Sequence, residues 1–181
     1  EDRVRIFRQK RWLLLPGLLV LGAALLLMGS SALGVGAAAR LRGRVRDIQG
    51  LTAGLEAMAR TLSASLAPLD EMLQAAEACT GQRPAQFFHT CRRELLTLGG
   101  NPFSRLWDKA LRETPLRLDE GDRAVLKQVG GVLGRYDSDS QTVALGQAVQ
   151  RLSQQQREAE ERQGRLGRVY GTLGVTSGLL L

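Results

Sequence analysis

Cys79, His89 and Cys91 are the side chains most able to do chemistry, as soft metal ligands or as a thiol nucleophile beside a base. Their spacing matches no common zinc pattern, and no fourth ligand stands nearby. A cysteine nucleophile also needs a third group to orient its base, and the sequence offers none. The simpler expectation is a buried thiol pair with a histidine on a helix surface, and free thiols fit a reducing, cytoplasmic setting. Asp137-Ser138-Asp139-Ser140 opens like a calcium loop but lacks the later glycine and bidentate glutamate, which leaves helix capping. Gly34-Val35-Gly36-Ala37-Ala38-Ala39 imitates a dinucleotide fingerprint, yet no strand precedes it. No Gly-x-x-x-x-Gly-Lys-Ser/Thr occurs. One histidine and 4% aromatic residues leave little for a metal cage or a base-stacking platform. The sequence therefore predicts no catalytic residue, metal, cofactor or small-molecule substrate.

The elements that would have to position such groups begin with an apolar run. No charge stands between Arg11 and Arg40. Roughly 20 apolar residues cross the ~30 Å bilayer core, so 12–39 is predicted to be a transmembrane helix behind a basic flank, 1–11. A cleavable signal is the competing reading, since Gly36-Ala37-Ala38-Ala39 resembles a cleavage site, but signal cores run only ~7–15 residues. A second uncharged run, 169–181, is too short to span and predicts the truncated start of a second transmembrane helix, the alternative being an apolar tail packed on the rest. Between them, 40–168 is long enough for one compact core.

That middle region reads as helical throughout, an all-α antiparallel bundle. Leu41, Val45, Ile48, Thr52, Leu55, Ala59, Leu62 and Leu66 alternate in steps of four and three, the stripe of one helical face. Pro68 begins a helix to about Cys79, Pro84 one to Leu98, and Asn101-Pro102 one over Phe103–Arg112. Asp119 caps a helix to Leu133 that Gly134 ends. The last helix starts near Ser138, with Leu145, Leu152, Ala159, Leu166 and Leu173 at one heptad position. That stripe suits a bundle face better than a dimeric coiled coil, because its companion position turns polar at Gln156 and Gln163. Gly164, Gly167, Gly171, Gly174 and Gly178 form a further seam. Glycine costs a helix ~1 kcal/mol relative to alanine, so this spacing suits close helix packing in a membrane, with Ser30, Gly34 and Ala38 as a matching face. A chain with 21 glycines could also produce it by chance.

The net charge of +7 is unevenly spread: +3 over 1–11, +3 over 40–47, zero over 48–156 and +1 over 157–168. Arg40, Arg42, Arg44, Arg46, Arg165 and Arg168 thus flank the apolar runs, which suits anionic lipid headgroups and not a nucleic-acid face. The arginines ahead of the second run tip the orientation, placing the bundle in the cytoplasm.

These features together resemble the stage III sporulation protein AB family. Leu133-Gly134, Asp137 and Gln141 resemble its Leu-Gly-x-x-Asp-x-x-x-Gln stretch, and Arg168-Val169-Tyr170-Gly171-Thr172-Leu173-Gly174 its Lys-Leu-Tyr-x-x-Leu-Gly approach to a second membrane helix. Trp107, Ala110, Leu111 and Pro68-Leu69 also fit, whereas Thr61 stands where the family commonly has glutamate. The resemblance implies a non-enzymatic protein of the mother-cell membrane around the forespore. Its soluble part would resemble the helical cytoplasmic domain of F-type secretion platforms. It would dock a stage III sporulation protein AA-like ATPase to other sporulation channel proteins. The alternative from the residues alone is a membrane-anchored helical sensor or signalling subunit.

Overall fold

The computed structural model describes residues 36, 39–96, 102–134 and 137–178, with side chains through residue 164 except 163. Arg40–Leu181 forms one compact unit, distinct from Glu1–Ala39. Among the described residues every regular element is a helix: α1 (39–65), α2 (Leu69–Ala78), α3 (Gln82–Leu95), α4 (Phe103–Glu113), α5 (Glu120–Val132) and α6 (Ser138–Gly178). No described helix is long and apolar enough to cross a membrane. The predicted span 12–39 lies outside the described residues except at 36 and 39. The helix expected from Ser138 continues unbroken into the second apolar run as far as Gly178.

Side-chain contacts fix the direction of each helix. Asp70 and Glu77 of α2 both meet Arg92 of α3, and Glu77 also meets His89, so α2 and α3 form a hairpin. Leu111 of α4 accepts a hydrogen bond from Arg123 of α5, while Trp107 meets Leu126, so this pair is antiparallel. Gln128 of α5 pairs with Arg151 of α6, and Gly121 lies against Gln155. Gln49 of α1 meets Glu160, while Leu62 and Leu66 share a groove with Thr142 and Val143, so α6 runs back along α1. The chain therefore climbs and descends in turn. The starts of α1, α3 and α5 gather at one end of the bundle, and the starts of α2, α4 and α6 at the other.

Helix α1 lies at the centre. The expected stripe is largely buried, with Val45, Ile48, Thr52, Leu55 and Leu62 inside and Ala59 partly covered. Leu51 and Met58 widen that face, and Asp47, Gly54 and Ala57, on the sides beyond it, are buried as well. A single stripe is thus a correction: α1 is enclosed on most of its circumference. Gly54 permits this enclosure, because a Cβ there would lie 2.3 Å from Phe88 Cε2. Leu66 is a second correction. It lies beyond the helix end, 73% exposed, with φ +48°. Pro68 disfavours helical backbone at Ala67, so the stripe stops before its last expected member.

The opposite side of the core is built on aromatic rings. Phe87, Phe88 and Trp107 meet edge to face, with Phe87 and Trp107 centroids 4.7 Å apart. Trp107 is fully buried, and its Nε1–H donates to Leu126 O at 2.8 Å, which satisfies the indole's polar group. The start of α4 differs from expectation: Pro102 itself occupies the cap position, extended at φ −68°, ψ 141°, with no side-chain hydrogen bond. Proline's lost N–H matters little there, since the first donors of a helix lack partners in any case.

Gly130 is where Trp107 has no spare room. A Cβ would sit 2.2 Å from Trp107 Cδ1, with backbone on both sides fixed inside α5. Gly130→Ala is expected to destabilise the fold by about 1–3 kcal/mol, read by urea unfolding followed by circular dichroism. An unchanged midpoint would show that the ring moves freely.

Candidate functional site

Where α1, α3 and α5 begin, the bundle buries charge. Asp47 and Asp122 are 2% and 0% exposed. Asp122 Oδ2 accepts from Arg44 Nε at 2.7 Å, and Oδ1 from Arg44 Nη2 at 2.9 Å, a two-pronged guanidinium–carboxylate pair. The same carboxylate accepts from Asp119 N at 3.0 Å, while Asp119 Oδ1 accepts from Asp122 N at 2.9 Å. This reciprocal box caps α5, as the position of Asp119 led one to expect, with Asp122 closing it in the place usually held by glutamate or glutamine. Arg44 Nη2 also reaches Asp119 Oδ2 at 2.5 Å. Its hydrogen bond to Asp122, followed by the field of both carboxylates, raises the Arg44 pKa against the opposing effect of its own burial.

Asp47 closes a second link one turn along α1. Its Oδ1 accepts from Arg83 Nε of α3 at 3.0 Å, and its Oδ2 from Arg117 N of the α4–α5 connection at 2.7 Å. Arg123 then donates to Leu111 O and Leu116 O, holding that connection from its other side. The start of α1 is thereby tied to α3, to α5 and to the segment between α4 and α5. These carboxylates are occupied by cations and backbone amides. The arrangement positions helices.

The arginines expected to flank the membrane therefore divide. Arg40, Arg42 and Arg46 are exposed, whereas Arg44 is turned inward. Arg165 and Arg168 lie on the backbone of α6, and their side chains are outside the described residues. The same holds for Tyr170 and Leu173. Of the proposed packing seam, Gly167, Gly171, Gly174 and Gly178 lie on α6, while Ser30, Gly34 and Ala38 fall outside the described residues. Gly164 is exposed, and nothing stands within 4 Å of its missing Cβ.

The motif around residues 133–141 has a structural explanation. Leu133 is buried, and Gly134 holds φ +78°, with Phe103 Cβ 3.1 Å from where its own Cβ would be. Asp137 accepts from Asp139 N at 3.1 Å and from the Ser140 hydroxyl, so the sequence that imitated a calcium loop begins α6. The Ser140 hydroxyl, followed by nearby backbone amides, lowers the Asp137 pKa. Gln141 is buried. Thr61 is half-buried and donates to Ala57 O at 2.9 Å, so it bonds its own helix.

The thiols do not form the expected buried pair. Cys91 is fully buried, and desolvation pushes its thiol well above the ordinary range. Cys79 is exposed because α2 ends at Ala78 and leaves it in the turn. His89 sits on the exposed side of α3, its Nδ1 3.0 Å from Glu77 Oε1. Two residues apart on a helix, His89 and Cys91 point in different directions. Among the described residues, no three metal-ligating side chains converge.

What the fold and these contacts define is a helical-bundle protein held by internal ion pairs, with no catalytic constellation among the described residues. The sequence pattern of the stage III sporulation protein AB family matches residues 19–181, and the chain belongs to that family of sporulation proteins. A solved structure of a stage III sporulation protein AB is 26% identical, with a TM-score of 0.62 over 68% of this chain and 98% of that one. No curated protein sequence matches.

Breaking the buried pair from one side strands a carboxylate. Arg44→Ala is expected to cost about 3–5 kcal/mol, and Arg44→Met with Asp122→Leu to recover part of it, the remainder being the opened capping box, about 1 kcal/mol. Equal losses in chemical denaturation of the single and double variants would contradict this account. A thiol reagent is expected to label Cys79 in the folded chain and Cys91 only after unfolding, as mass spectrometry would read out. Equal labelling of both in the native state would contradict the placement of Cys91.

Proposed function

We propose that this protein is a non-enzymatic membrane platform of the sporulation channel complex, joining a stage III sporulation protein AA-like ATPase to membrane components. Family membership carries the sporulation role. The observation that favours a platform is the antiparallel register of α1 and α6, set by Gln49–Glu160 and by the groove between residues 62–66 and 138–143. It brings residue 40 and the later part of α6 to one end of the bundle, and the apolar sequences adjoin those positions in the chain. Exposed Arg40, Arg42 and Arg46 at that end suit a headgroup layer. On this reading the bundle faces the cytoplasm from the mother-cell membrane around the forespore.

The sensor alternative needs Leu145, Leu152 and Ala159 free to pair with a second copy. All three are buried inside the bundle. Co-purification of the full-length chain with the AA-type ATPase, in detergent and from sporulating cells, is the test. Association is expected. Its absence under both conditions would overturn the docking role.

A further inference from the structure

At the end of the bundle opposite Arg44, α1 and α6 leave an open groove of about 420 Å³ lined by Leu62, Ser63, Leu66, Asp139, Thr142 and Val143. Two of the large apolar side chains most exposed among the described residues, Leu66 at 73% and Val143 at 57%, face it. Single exposed leucines are ordinary, but two bordering one groove form a patch.

The backbone makes Leu66 more informative. Its N–H donates to Leu62 O at 2.9 Å and its φ is +48°, which together form the left-handed helix stop that chains normally build with glycine. The other described residue at positive φ is a glycine, Gly134 at φ +78°, in the turn that follows an already extended Leu133. A leucine at positive φ meets the steric penalty of a left-handed Cβ. The usual compensation, a contact between the stop residue and the leucine four positions earlier, still leaves the side chain mostly in solvent. Two penalties, strain and apolar exposure, thus fall on one residue.

The electrostatics of the groove indicate what would cover it. Asp139 lines it and Asp137 stands beside it at the start of α6. No Lys or Arg occurs in 61–82 or in 136–150, in a chain of net charge +7. The nearest arginine on α1, Arg60, is paired with Glu56. A second copy using the same surface would set acid against acid. We infer that the Leu66–Val143 groove docks an amphipathic helix of a partner protein that presents aliphatic side chains flanked by lysine or arginine. This rests on the platform reading, to which it adds the docking surface and the chemistry of the partner's contact.

The test uses the full chain in nanodiscs of zwitterionic lipid, with empty nanodiscs subtracted. The probes are a helical leucine/lysine peptide and its leucine/glutamate counterpart. The lysine peptide is expected to bind at least ten-fold more tightly than the glutamate peptide, with an affinity that falls as salt rises. Leu66→Gly and Val143→Gln are each expected to weaken it at least ten-fold. Leu66→Gly relieves the left-handed strain, so its melting temperature is expected to hold or rise, which separates lost binding from lost folding. Equal binding of both peptides, or unchanged binding by both variants, would overturn the inference. The AA-type ATPase provides a second comparison. If it associates equally with wild type and Leu66→Gly, the groove is not its docking surface, while the platform reading survives. If it fails to bind wild type while the peptide results hold, the groove stands and the ATPase role falls.

Discussion

The structure depends on one helix being surrounded. Asp47, Gly54 and Ala57 are buried beside the broad apolar face that Ile48, Leu51, Leu55 and Met58 fill, so α1 cannot rest on a single neighbour. Each large apolar side chain of that face contributes about 1.5–3 kcal/mol only when fully removed from water, so other helices must enclose it. The chain reverses direction from each helix to the next, which returns every second helix alongside α1 in the same direction. The close approaches at Gly54 to Phe88 and Gly130 to Trp107 then lock the aromatic side of the core.

An enclosed helix that starts with four arginines and an aspartate poses a solvation problem. Charge entering the bundle must be paired and hydrogen-bonded or it destabilises the fold by several kcal/mol. Arg44 and Asp47 enter, and each meets counter-charges that fix a different neighbour. The capping box of α5 therefore has two roles: it satisfies the start of that helix and supplies the carboxylate that receives Arg44. Local helix physics and long-range packing share one residue, Asp122.

The helices were legible in the sequence because their signals are local: Pro68, Asp119, Gly134 and Asp137 act within a turn of where they stand. The family was legible through residues such as Leu133, Gly134 and Gln141, two of them buried and the other in a left-handed turn. Less legible was what distant segments do to one another. Arg44 has the same sequence surroundings as Arg42 and Arg46, and only α5, far along the chain, decides that it alone turns inward. Periodicity found one face of α1 and missed the other, since a helix covered on several sides carries small residues such as Ala57 that raise no apolar signal. The thiols went astray at a boundary: α2 stops one residue before Cys79, and that residue moves it from core to turn.

The two ends of the bundle are built on different physics. At the α1 start, ion pairs and capping hydrogen bonds join three helices and a connection, and directional bonds of this kind resist relative motion. At the α1 end, the described contacts across the groove are few, its acids lack nearby lysine or arginine on the same elements, and the helix stop uses a strained leucine. Removing strain there would be simple, since glycine adopts a left-handed backbone without a steric penalty. A sequence shaped for stability alone would put glycine at residue 66. That it carries leucine, with its side chain turned to solvent beside Val143, is explained if the bundle is complete only when another surface covers that end.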